Sequence, residues 1–140
     1  MILVTTLIRH FERPKSNLTL EDLITYPQGT LGNQLGKFLF NNSYEQDPIP
    51  EKEDIYRLLI TKEVSNAEEV AMYCYLFGNG DKSPQTVFSI VTGTLLYPHY
   101  IQYFYKRYKD GKRAFRFYDL DCFKMLHLPV NKIKDAFLIQ

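Results

Sequence analysis

Tryptophan is absent from these 140 residues, and cysteine occurs only twice, at Cys74 and Cys122. Two cysteines cannot build a disulfide framework or a four-cysteine zinc site. Glycine and proline, seven of each, are too few for a fibrous or disordered chain. An excess of either charge is missing as well: 17 Lys and Arg face 16 Asp and Glu, for a net charge of +1. That balance argues against a dedicated nucleic-acid binder, so no nucleic-acid partner is expected. The opening run MILVTTLIRHFERP has neither a basic leader nor a small-residue cleavage site. No secretion signal is therefore expected, and the chain reads as cytoplasmic. Glycine-rich phosphate loops, nucleophile elbows and paired-cysteine metal spacings are also missing.

What the chain does have is tyrosine and phenylalanine, 11 and 10 residues, or 15% aromatic. A small core filled with Tyr must satisfy many hydroxyls, which points some of these rings toward a groove or an interface. The length suits one domain with its own core, and no repeat or linker divides residues 1–140. Ile2-Leu3-Val4 and Leu7-Ile8 form an apolar run too short to assign by periodicity. Thr19 with Asp22 reads as a helix entry, with Leu18 and Leu23 as its staple, and Pro27 and Gly29 then force a break. Leu31, Leu35, Phe38 and Leu39 recur at helical spacing up to Asn41-Asn42-Ser43. Asp47-Pro48-Ile49-Pro50 is a stiff connector, with Pro50 placed for the first turn of a helix carrying Ile55, Leu58 and Leu59 on one face. Ser65 and Glu68 form a capping box ahead of a buried stripe of Ala67, Val70, Ala71, Cys74 and Phe77. Cys74 is thus read as core. Gly78-Asn79-Gly80 ends that helix and Ser83-Pro84 opens the next.

From Pro84 to Tyr105 no side chain is formally charged, His99 aside. The stretch is read first as a buried core helix, with an interfacial helix or a membrane span as alternatives. Lys106, Arg107, Lys109, Lys112, Arg113 and Arg116 follow, interleaved with Tyr105, Tyr108, Phe115 and Phe117. They suit either a solvated helix end beside the negative pole of the macrodipole or a patch for anionic lipid headgroups. Two short helices, Leu120 to Leu126 and Val130 to Ile139, close the chain across Leu128-Pro129. Six or seven helices and no convincing strand make an all-α single-domain bundle. The histidines His10, His99 and His127 lie far apart and read as packed or surface residues; His99 draws interest because it follows Pro98 in the uncharged stretch.

Pro27-Gln28-Gly29-Thr30-Leu31-Gly32, followed by Phe38-Leu39, resembles the P-x-G-T-L-G … FL segment of the coenzyme Q biosynthesis protein 4 family. In that family the next helix carries His-Asp-x-x-His, then eleven residues and a Glu, as a metal motif. Here Glu53-Asp54-Ile55-Tyr56-Arg57 occupies the place, and Glu69 stands eleven residues after Arg57. Asp54 and Glu69 match; Glu53 and Arg57 replace the two histidines. The tail from Leu120 to Leu126 and from Pro129 to Ile139 is similar to the family's closing helices. The resemblance runs from about Leu20 to the end of the chain.

The resemblance implies an all-helical, membrane-associated protein of ubiquinone biosynthesis, linked to decarboxylation and hydroxylation of a polyprenylated ring precursor. It also implies scaffolding of other quinone-biosynthesis enzymes and an apolar groove for a prenyl lipid. Zinc favours imidazole and thiolate, so with both histidines replaced no metal or other cofactor is expected. Glu53 and Arg57 stand in the favourable order for a helical ion pair. The Arg57 guanidinium is expected to take the cation's place, held by Glu53, Asp54 and Glu69. A plain surface ion pair, worth under about 1 kcal/mol, is the alternative. Glu51, Glu53, Asp54, Glu68 and Glu69 also offer weak ligation for Mg²⁺ or Ca²⁺. The leading expectation is a lipid-binding or scaffolding relative without metal chemistry, peripheral on the inner face of a membrane. Phe38, Tyr56, Phe88, Leu95, Tyr97 and Tyr100 would line its groove, and Lys106, Arg107, Lys109, Lys112 and Arg113 would face the headgroups. Two alternatives stand beside it. One is an enzyme with Asp54 or Glu69 as general base and Arg57 binding the precursor carboxylate. The other is a helical domain that inherited the fold only. A homodimer is left open.

Overall fold

The computed structural model describes residues 19–42, 50–63 and 65–140. The apolar run Ile2 to Ile8, His10, the Leu18 half of the staple, Ser43 and the connector at 47–49 lie outside them. Among the described residues the chain forms seven α-helices and two 3₁₀ turns, and no strand: α1 Leu20–Ile24, α2 Leu31–Asn42, α3 Lys52–Ile60, α4 Asn66–Asn79, α5 Pro84–Leu96, α6 Ile101–Arg113 and α7 Val130–Phe137, with the 3₁₀ turns at Pro98–Tyr100 and Cys122–Met125. The all-α reading holds.

Local signals explain most boundaries. Thr19 and Asp22 exchange the two hydrogen bonds of a capping box at α1, at 3.1 and 3.2 Å. Gly29 takes φ +87, a left-handed turn open to glycine without strain, and Thr30 then caps α2 by accepting from the Asn33 amide. The orphan amides of Leu31 and Gly32 donate to Leu128 and Leu126 carbonyls, both at 2.8 Å, while Val130 N–H donates to Gly29. A Cβ on Gly32 would meet the Tyr26 ring at 2.7 Å. The Pro27–Gly32 motif therefore serves the fold: it turns the chain, caps α2 and docks the segment that leads into α7.

Three expectations shift. Pro50 stands one residue ahead of the cap Glu51, outside the first turn of α3, and Asp54 closes that end by accepting from Glu51 N–H at 3.0 Å. At α4 Ser65 accepts from the Glu68 amide, but the Glu68 carboxylate does not reach back; it accepts from the Tyr103 hydroxyl on α6. Leu120 to Leu126 holds a single 3₁₀ turn in place of a short helix.

The bundle is organised around α4, whose residues Val70 to Leu76 are all buried. The main core joins Leu23, Leu31 and Leu35 to Ile55, Leu59, Met72, Leu76, Phe117 and Ile133, and Val70, Ala71, Cys74 and Phe104 make a second, smaller cluster. Cys74 is core, as expected. Where α4 crosses α6 the backbones touch: a Cβ on Gly78 would lie 2.1 Å from Tyr108 O, and one on Gly111 2.0 Å from Tyr75 O. Asn79, buried at the end of α4, donates to the Gly111 and Phe115 carbonyls and accepts from the Phe117 and Tyr118 amides. All the amide's hydrogen-bonding capacity goes into pinning the chain after α6.

The uncharged stretch departs furthest from its first reading. Pro98 holds Tyr97 out of helical geometry (φ −128, ψ 60), so the stretch breaks into α5, a 3₁₀ elbow and α6. On α5 the buried residues are Thr86, Ser89 and Gly93; Val87, Phe88, Val91, Leu95 and Leu96 are exposed. The buried-core reading is overturned. Small residues face α4 because they let the helices approach: a Cβ on Gly93 would overlap Val70 at 2.4 Å. The Thr86 hydroxyl carried inward is met locally, donating to Asp81 Oδ2 at 2.7 Å, and the half-buried Thr94 donates to Ile90 O at 2.7 Å. No helix among the described residues is long and apolar enough to cross a membrane.

Candidate functional site

Two constellations carry chemistry. The first is an outward face on the α5–α6 arm. Val87, Val91 and Leu95 recur every fourth residue along α5, flanked by Phe88 and Leu96, and Leu95 is 78% exposed. Tyr100 and Ile101 at the elbow are exposed as well, and Ile101, Tyr105 and Lys109 stand exposed one turn apart along α6. Isolated exposed apolar residues are ordinary, but a continuous series of this kind marks a contact surface. Its electrostatics are one-sided, for no acidic residue occurs from Lys82 to Lys109. Lys109 Nζ lies over the Tyr105 ring at 4.7 Å and Lys112 Nζ over Tyr108 at 5.5 Å, so rings, not carboxylates, meet these charges. Lys106 and Arg113 are exposed beside them.

Arg107 does not belong to this patch. It is 1% exposed, and its guanidinium donates to Asp110 Oδ2 at 2.9 Å, to the Ile60 carbonyl at 2.8 Å and to the Gln140 carbonyl at 3.0 Å. It stands 4.8 Å from the Tyr75 ring as well. Arg107 is a buried tie between α6, the end of α3 and the closing segment. Arg116 pairs with Asp119 at 2.7 Å on the surface.

The expected groove residues separate in the same way. Phe88, Leu95, Tyr97 and Tyr100 lie along the arm, Tyr97 and Tyr100 edge to face at 6.4 Å, with the exposed His99 ring 4.5 Å from Tyr100. Phe88, Leu95 and Tyr100 face outward, while Tyr97 is half-buried against the smaller core cluster. Phe38 is half-buried against the main core, and Tyr56 is fully buried with its hydroxyl bonded to the Tyr118 carbonyl. Burial drives the Tyr56 pKa strongly upward. His127 is exposed, away from the arm's sequence, and Cys122 is buried.

The second constellation bridges α3 and α4. Arg57 Nη1 meets Asp54 Oδ1 at 2.9 Å and Nη2 meets Glu69 Oε1 at 2.8 Å. The side chains are 16%, 5% and 29% exposed, which makes this a largely desolvated bridge. Burial opposes the charge on Arg57, yet Glu69 and then Asp54 outweigh it, and the guanidinium pKa is raised. Glu53 takes no part, since Arg57 turns across the helix pair toward Glu69 and away from the residue four before it. One turn after Glu69 stands Tyr73, buried; desolvation lifts its hydroxyl to about 12 despite Arg57 nearby. Sequence reasoning missed Tyr73; the (i, i+4) spacing from Glu69 was its only signal. Both Asp54 oxygens are committed, one to Arg57 and one to the Glu51 amide. No group of three or more His, Cys, Asp or Glu among the described residues is arranged to hold a metal ion.

These features define an all-helical fold with an exposed apolar arm and a buried arginine bridge. That fold is shared with the crystal structure of a Nostoc punctiforme PCC 73102 protein provisionally assigned to ubiquinone biosynthesis. The TM-score is 0.71 at 14% identity, over 94% of this chain and 73% of the other. At that identity the likeness shows the fold. No protein-family model matches the sequence, and no curated protein matches it.

Proposed function

We propose that the protein binds lipid at a membrane surface through the α5–α6 arm, in a role related to ubiquinone biosynthesis that needs no metal chemistry. The observation that carries this reading is the outward row Val87, Phe88, Val91, Leu95, Leu96, Tyr100 and Ile101, ending in exposed Lys106, Lys109, Lys112 and Arg113. The apolar elbow enters the acyl or isoprenoid layer, Tyr97, Tyr100 and Tyr105 take the interfacial level, and the basic end meets anionic headgroups. Each basic side chain at such a surface contributes about 1 kcal/mol. The ligand chain is an isoprenoid or acyl tail, such as that of a prenylated quinone precursor. A membrane-bound chain of this shape also serves to hold other quinone-biosynthesis enzymes. The neighbour assigned to ubiquinone biosynthesis supports the pathway half of this reading. The Arg57 guanidinium, seated between Asp54 and Glu69, stands in for a cation at the position that the sequence resemblance gives to a metal. With both carboxylates engaged there, the enzyme reading would require Arg57 to be released first.

Vesicle co-sedimentation tests the reading. The full chain is expected to pellet with vesicles of phosphatidylcholine and phosphatidylglycerol, less with phosphatidylcholine alone, and less again at high salt. Burying one leucine stabilises by about 1.5–3 kcal/mol, so Leu95→Glu should weaken vesicle binding by roughly tenfold or more. Leu95 is mostly exposed, so the variant is expected to fold. A chain that stays in the supernatant with both lipids, or a Leu95→Glu variant that pellets unchanged, refutes the proposal and leaves the inherited fold alone.

A further inference from the structure

Away from the arm, an open cleft of about 430 Å³ lies between the Gly29 turn, α2, α3 and the start of α7. Its lining is Gln28, Gly29, Gln34, Leu58, Pro129, Val130, Asn131 and Lys134. The volume falls within the range of small-molecule sites. Leu58, Pro129 and Val130 supply an apolar floor, and the space over Gly29 is open, with nothing within 4 Å of where a Cβ would stand. Of the polar side chains above that floor, Asn131 Oδ1 already accepts from the Lys132 amide at 2.9 Å. Among the described residues the side chains of Gln28, Gln34 and Lys134 make no hydrogen bond or ion pair. Lys134 is half-buried, and among the described residues no carboxylate lines the cleft. A lysine with no described anion beside it, and side-chain amides with no described protein partner, are free to bond a guest in the cleft they line.

We infer that this cleft is a binding site for a small organic monoanion, a carboxylate on an apolar body. Lys134 receives the carboxylate, the Gln28 and Gln34 amides bond its oxygens or neighbouring hydroxyls, and Leu58 and Val130 bear the apolar part. A single lysine matches one negative charge, and the apolar floor favours an organic acid over a bare inorganic ion. The site is separate from the arm, so it stands or falls independently of membrane binding.

Benzoate is a suitable probe, followed by amide chemical shifts of the ¹⁵N-labelled full chain. The shifts should saturate at Gly29, Gln34, Leu58, Val130, Asn131 and Lys134, with half-saturation at a few millimolar, roughly. Benzamide, of equal size without the charge, should bind about fivefold more weakly, and inorganic phosphate should barely shift these amides. Lys134→Gln should weaken benzoate by about fivefold, leave benzamide unchanged and leave vesicle pelleting untouched. The inference is overturned by any one of four results: no saturation at these amides by about 20 mM, equal binding of benzamide, equal binding of phosphate, or a Lys134→Gln variant that binds benzoate as before.

Discussion

Replacing Arg57 with methionine removes the charge of the α3–α4 bridge while keeping most of its apolar stem. Asp54, 5% exposed, would then hold a buried carboxylate with one oxygen unpaired, while Glu69, 29% exposed, can turn toward water. Removing one partner of a buried pair costs about 3–5 kcal/mol. Asp54 keeps its bond from the Glu51 amide, so Arg57→Met is expected at the lower end, about 3 kcal/mol. Asp54→Asn preserves an acceptor for that amide and should cost about 1–2 kcal/mol. The double variant should cost less than the sum, with a coupling of about 1–2 kcal/mol, because the orphaned carboxylate is gone. Urea unfolding followed by far-ultraviolet circular dichroism measures all three, and for a chain of this size the single variant should melt roughly 10 °C lower. A loss below about 1 kcal/mol for Arg57→Met, with additive effects in the double variant, would reduce the bridge to an ordinary surface pair.

Two further outcomes follow from packing and burial. Gly111→Ala would place a Cβ 2.0 Å from Tyr75 O, so α4 and α6 must part; a loss of about 2–4 kcal/mol is expected in the same urea assay, and a loss under about 0.5 kcal/mol would contradict the backbone contact. Burial raises Tyr73 and Tyr75 to about 12, Cys74 to about 12 and Cys122 to about 11. Because the folded state holds these protons more tightly, their contribution is fully present below the ordinary thiol and phenol values and is lost as pH rises toward 11–12. Tyrosine absorbance should therefore titrate late and together with unfolding, and Ellman's reagent at pH 8 should label neither thiol until the chain unfolds. Rapid labelling of both cysteines in the folded protein would refute this.

The parts of this fold that were legible in the sequence are those set by neighbours in the chain. Thr19 with Asp22, Ser65, Gly80 and Ser83-Pro84 mark helix ends because capping needs only residues within one turn. Arg57 with Asp54 and Glu69 was legible because two of the three share a helix and the third sits at the start of the next. Arg107 was not. In the chain it reads as one more cation among Lys106, Lys109 and Lys112, with Asp110 three residues on as the single local hint; the carbonyls that hold it belong to Ile60 and Gln140. Glu68 was misassigned for the same reason, its partner Tyr103 lying 35 residues away.

The uncharged stretch fails as a sequence signal for a different reason. Absence of charge does not by itself bring burial: α4 already fills its own surroundings and offers α5 a face at Val70 that accepts only a glycine. The small side of α5, Thr86, Ser89 and Gly93, wins that contact through close approach, with Thr86 bonded to Asp81. The large side is thereby turned outward. A helix held this way does not gain its place by burying Val91 or Leu95, so those residues are not needed for packing within the described chain. Their cost in water is offset only when something apolar covers them. The same close packing that turns the apolar row outward also seats its helix on α4, so a partner that covers the row meets a surface already in place.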